Sequence, residues 1–274
     1  MACWCLLDGM AGRQSTGPKP NRGRDGAWRQ GHGSLQAMTL PVDQQPGFRR
    51  RFHVLPSQRS VTSRLEDDVH RMAVTLEHDG ERVTAVTALT ERAPWNICPG
   101  AVAKLEADWL GVPLERQERA LDKKANCTHL FDLAELALRH VHDAGETLYE
   151  IYVSDPVDGV NELLLRRNGE DRQHWQAKDD VVSSPEAAAG LPLIGLRSWI
   201  TTLSGDARAE ARMLQWAGLV AHGRLIPWET EKTLRALPGS CFASQPERYD
   251  QCERVGDRVD FSTEGARAPL GDIG

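Results

Sequence analysis

The chain reads as an α+β protein: an antiparallel sheet built of hairpins and packed against helices, with a helical elaboration toward the C-terminus. Three observations predict this class. Val69 to Leu89 alternates apolar and polar residues around a turn at His78-Asp79-Gly80, the signature of a β-hairpin. From Asn126 to Val141 the apolar residues Leu130, Leu133, Ala134, Ala137, Leu138 and Val141 recur at helical spacing. Past Ser183 alternation gives way to helical spacing. With 274 residues, 40% of them hydrophobic, the chain can bury a substantial core.

Taken in order, residues 1–47 are rich in Gly, Arg, Gln and Pro without hydrophobic period, which predicts a disordered leader, and Met38 marks an alternative start. The folded part is expected to begin near Phe48, where Arg49-Arg50-Arg51 reads as the solvated start of a strand, with an anion site as the competing reading. In the hairpin that follows, His70 shares the apolar face of Met72, Val74 and Leu76. Pro99 suits the first position of a helix, where a missing N–H costs nothing, so Cys98 is expected as its capping residue. A charged connector, Glu115 to Lys124, leads to the helix at Thr128, which Gly145 stops.

Leu148–Val153, Val160–Arg166 and Gln173–Ala177 read as strands joined by turns at Asp155–Gly159 and Asn168-Gly169. Ser204-Gly205-Asp206 opens a long helix with Met213, Trp216, Ala217 and Val220 on one face. Thr230 is expected to cap a short helix, and Pro246 to lead a turn into another. The resulting division is a leader (1–47), an α+β unit (48–145), further strands and helices packed on it (146–260) and a flexible tail (261–274).

Composition narrows the function. The net charge is −6 and no basic stripe is interleaved with aromatics, so nucleic acid is not an expected partner. No apolar run reaches the ~18 residues of a membrane helix, and Asp8 interrupts the short apolar stretch at the start, so neither membrane nor secretion is expected and a cytoplasmic location is. Six cysteines are too sparse for a disulfide scaffold, leaving free, metal-bound or redox-active thiols.

The chemistry is expected at Cys98, Cys127 and His129. Both cysteines are predicted at helix N-termini, where unpaired N–H groups favour a thiolate, and His129 adds an imidazole two residues on. If the two helix starts meet, zinc would accept Cys98, Cys127 and His129 with water in the fourth place, or with His70 or His78 completing the set. Asp132, one turn after His129, is placed to hold the imidazole. A thiol enzyme, with Cys127 or Cys98 as nucleophile and His129 as base, is the competing chemistry. A third reading makes these residues structural in a binding or accessory protein. A small molecule is the expected ligand. Cys241 and Cys252 read as core or as a cover for the same site, and Trp175, Trp199, Trp216 and Trp228 as core or as the wall of a pocket.

The blocks Arg92-x-Pro94-Trp95-x-x-Cys98-Pro99-Gly100-Ala101 and Cys127-Thr128-His129-Leu130-Phe131-Asp132-Leu133-Ala134, preceded by the His70 to Gly80 hairpin, resemble a bacterial family known as domain of unknown function 2889. The resemblance covers about Arg49 to Val141. It implies an α+β domain, singles out Cys98, Cys127 and His129 as signature positions, and brings no activity.

Overall fold

The structure is a computed structural model that describes residues 40–115, 121–225 and 239–271. Its frame is one antiparallel sheet. Strands β1 (Gly47–Pro56), β2 (Ser60–Asp67), β3 (Arg71–His78), β4 (Val83–Arg92), β5 (Thr147–Ser154), β6 (Val160–Arg167), β7 (Glu170–Lys178) and β8 (Val181–Ser184) lie in the order β4-β3-β2-β1-β5-β6-β7-β8. Two four-stranded meanders thus join edge to edge through β1 and β5, with Phe52 opposite Leu65 on one side and Tyr149 on the other. The boundary expected near residue 145 falls in the connection from helix to β5, and the sheet runs unbroken past it.

Side-chain alternation sets which face is covered. Phe48, Phe52 and Val54 of β1, Val61 and Leu65 of β2, and Met72, Val74 and Leu76 of β3 point to one face and are buried. Helix α1 (Ala101–Trp109) packs there against β4 and α2 (Thr128–Arg139) against β2 and β3. A short helix α3 (Arg197–Ile200) precedes α4 (Gly205–Ala221), which covers β5, β6 and β7. In α2 the residues Leu130, Leu133, Ala134 and Ala137 are fully buried, and each buried leucine stabilises the fold by about 1.5–3 kcal/mol relative to exposure. Trp109 meets Phe131 edge to face, with centroids 5.4 Å apart, which locks α1 to α2.

The opposite face carries a buried charge. Glu66, inaccessible to solvent, accepts from Arg92 (3.1 Å), from both terminal nitrogens of Arg267 (2.8 Å) and from the Leu270 amide (2.7 Å). Burial pushes its carboxyl up, but the bonds from Arg267 and Leu270 outweigh that and hold it below the usual range. Within the segment expected as a flexible tail, Phe261 and Leu270 are buried, and Arg267 and the Leu270 amide partner the buried Glu66.

The predicted hairpin is β3–β4, and the helix predicted at Thr128 is α2, with Cys127 as its N-cap. Cys98 opens a 3-10 turn, Cys98–Gly100, ahead of α1, so Gly100 rather than Cys98 caps that helix. After Pro246 there is only a 3-10 turn, Tyr249–Gln251. The leader up to residue 39, the cap expected at Thr230 and Trp228 lie outside the described residues.

Candidate functional site

The polar residues that converge do so at the turn from β2 to β3, beneath the first turn of α2. Asp67 ends β2 and shapes that turn itself: its Oδ1 accepts from the amides of Val69 (2.9 Å) and His70 (2.7 Å), while its own amide donates to the His70 carbonyl (2.9 Å). The same Oδ1 lies 3.1 Å from His70 Nδ1. Its Oδ2 accepts from Nε (2.9 Å) and Nη2 (2.6 Å) of Arg50, the residue directly opposite on β1. Asp67 is inaccessible to solvent and Arg50 and His70 are buried. Burial alone would raise the Asp67 carboxyl, but His70 and Arg50 hold it well below the usual carboxylate range, as an anion.

His129 descends on this group from α2. Its ring stacks on His70 with centroids 3.8 Å apart and planes inclined by 28°. Its Nε2 lies 3.3 Å from Arg50 Nη2, which can only donate, so this nitrogen is the acceptor and the proton of the neutral ring sits on Nδ1. Burial, then the nearby His70 and Arg50, hold its pKa well below the ordinary histidine value, so the ring is neutral. Arg50 also lies over the rings of Phe48 (5.2 Å) and Phe52 (5.9 Å), which shelter the guanidinium from above.

The residues expected to act together are not the ones the fold gathers. Among the described residues, the ligand atoms of Asp67, His70 and His129 all lie within 4.8 Å of one another, and no set that includes a cysteine does so. The atoms of Cys98, Cys127 and His129, expected to act together, do not meet within that distance. Side chains two residues apart at a helix start diverge, so His129 turns to the sheet while Cys127 turns to the Cys98 and Cys241 side. Asp132 binds Lys123, not His129. His78 stands at the far end of β3 from His70, roughly 25 Å away at 3.3 Å per residue, and cannot complete a set with it.

The thiol chemistry meets a second obstacle. Burial pushes the Cys127 thiol up to about 11 despite the amides of Leu130 and His129 at the helix start, and raises Cys98 further. Neither is a ready nucleophile.

Asp67 is not among the residues the sequence singles out, and Arg50 only as part of the triple arginine, yet both carry a signal. Arg50 occupies an apolar slot in Phe48-x-Arg50-x-Phe52-x-Val54, and Asp67 does so in Val61-x-Ser63-x-Leu65-x-Asp67. A charge in the inward register of a strand needs a buried partner, and each is the other's. The triple arginine is therefore not a solvated strand start: Arg49 and Arg50 are both buried.

Residues 52–141 match the family model described as "Protein of unknown function (DUF2889)". Comparison with curated proteins and with solved structures returns no match. The matched segment runs from the middle of β1 to just past α2 and holds Asp67, His70, Cys98, Cys127 and His129. Arg50 stands two residues before it, and Cys241 and Cys252 well after it. The likeness to the DUF2889 family thus lies in residues 52–141, about a third of the chain.

Proposed function

We propose that the β2–β3 turn and the start of α2 form a proton-transfer site for a small molecule, with His70 as the group that takes and returns the proton. One observation carries the reading: the ionised Asp67 fixes the His70 ring through Nδ1 (3.1 Å), which leaves Nε2 as the basic nitrogen. A proton arriving at Nε2 from substrate makes an imidazolium that the Asp67 carboxylate stabilises, and the same proton goes back to the product. Arg50 keeps Asp67 ionised and aimed, and neutral His129 lies against the ring without competing for the proton.

The test is long-range proton–nitrogen NMR of the imidazoles, joined to a screen of small esters, lactones and keto acids for turnover. The expected outcome is the Nδ1–H tautomer for both His70 and His129, and loss of any turnover in His70→Gln with the fold intact. An Nε2–H tautomer at His70, or turnover that survives His70→Gln, overturns the reading.

A second reading, a metal centre, is favoured by the mutual approach of the Asp67, His70 and His129 ligand atoms. Zinc there would supply a Lewis acid with an open position. Two features weigh against it. Arg50 already fills Asp67 Oδ2 and reaches His129. Rings stacked 3.8 Å apart and tilted by 28° also have planes that do not meet within about 2.1 Å of their nitrogens, the length of a zinc–nitrogen bond. Stoichiometric metal that is lost in His70→Gln would favour this reading over the first.

A further inference from the structure

The cysteines make a second gathering. Cys98 opens the turn before α1, Cys127 caps α2, and Cys241 and Cys252 bracket an irregular segment whose regular structure is one 3-10 turn. That segment is laid across both helix starts by backbone bonds. The Phe242 amide donates to the Asn126 carbonyl (2.9 Å), next to Cys241 and Cys127, and the Phe242 ring lies against Gly100. The Asn96 amide donates to the Glu253 carbonyl (3.0 Å) and the Val255 amide to the Pro94 carbonyl (3.0 Å), which brings Cys252 beside the Cys98 turn. Gln245 Nε2 donates to the Lys124 carbonyl (2.8 Å). All four cysteines are free; three are buried and Cys241 is half-buried.

We propose that Cys98, Cys127, Cys241 and Cys252 are the ligands of a structural site for a soft divalent ion of the zinc class, which pins the segment from Cys241 to Cys252 onto the starts of α1 and α2. Four thiolates are a complete ligand set for such an ion. A segment with so little regular structure, closed by a cysteine at either end, is the kind of element that metal binding folds outright. Burial, with Cys127, Cys241 and Cys252 as neighbours, pushes the Cys98 thiol up. No three sulfurs yet lie within 4.8 Å of one another, so binding needs a change of side-chain rotamer, which swings each sulfur without moving the backbone. Cysteines expected to share an ion with His129 are here assigned to one that excludes it.

The experiment uses the full chain, reduced and stripped with chelator under anaerobic conditions, and titrates it with cobalt(II) as a spectroscopic probe. The expected result is one equivalent bound, with sulfur-to-cobalt charge-transfer bands and tetrahedral ligand-field bands that zinc displaces. The bands should persist in Cys3→Ser/Cys5→Ser and in His70→Gln, and vanish in Cys241→Ser/Cys252→Ser. Because that last variant can fail to fold, alkylation of the wild type with mass-spectrometric mapping is the companion measurement: zinc should shield these four cysteines and leave Cys3 and Cys5 reactive. Absence of thiolate–cobalt bands, their survival in Cys241→Ser/Cys252→Ser, or zinc that shields none of the four overturns the proposal. A metal at Asp67, His70 and His129 would give no sulfur charge transfer, so the two sites are told apart.

Discussion

Asp67 does three jobs with two oxygens: it closes the β2–β3 turn, aims His70 and neutralises Arg50. Two histidines away from it show how environment decides protonation. His140 is buried, and burial outweighs its bond to Asp143 (2.7 Å), so its pKa is lowered from 6.5. His222 bonds Asp180 (2.8 Å), and that bond outweighs burial, so its pKa is raised from 6.5. The signs oppose. A lowered histidine gives stability that is present above the unfolded pKa and lost as pH falls below about 6.5 toward the folded value. A raised one gives stability that is present below about 6.5 and lost as pH climbs through its folded pKa. NMR titration should place the His140 midpoint below 6.5 and the His222 midpoint above it, and Asp180→Asn should bring His222 back down. A His222 midpoint unmoved by Asp180→Asn would refute the assignment.

At the scale of elements, α4 reaches the sheet through a glycine. A Cβ built on Gly218 would lie 2.7 Å from Leu163 Cδ2 of β6 and 3.5 Å from Leu193 Cδ1, both buried. Gly218→Val should therefore cost about 1–3 kcal/mol by overpacking, read as a lower urea midpoint with an unchanged slope. An unchanged midpoint would mean that α4 is not seated as described. The periodic elements were the legible ones. The β3–β4 hairpin, α2, β5, β6 and β7 announce themselves because hydrophobic spacing is a local property. β2 does not announce itself as a strand, because Ser63 and Asp67 hold inward slots that its pattern needs to be apolar. β8 is only four residues long and mostly exposed, too short to show a period. His70 and His129 stand out in the sequence, which also points Cys98 and Cys127 to the same place, because spacing along a chain does not say which way each helix start turns its side chains. The partner of Arg50 is 17 residues away on the neighbouring strand, and only the register reveals it.

At the scale of the molecule, no helix among the described residues is long and apolar enough to cross a membrane. The sheet is held from both sides by segments far away in sequence. Arg224, after α4, binds Asp68 (2.5 Å), Asp155 and Asp260, fastening the β2–β3 turn to the C-terminal half. Burial pushes the Asp68 carboxyl up to about 6 in spite of Arg224. The turn that carries Asp67 and Asp68 is thus framed by residues on both sides of the matched segment: Arg50 before it and Arg224 after it.

The junction of β1 with β5 also bears on what happens when the chain is cut. A fragment of residues 52–141 would leave the remaining part of β1 with a naked row of amides and carbonyls where β5 belongs, and Phe52 without Tyr149 beside it. Such an edge recruits whatever strand it meets, most readily that of a sister fragment. Light scattering should find this fragment associated at concentrations where the full chain is not, and a well-behaved monomeric fragment would show that the first meander guards its own border.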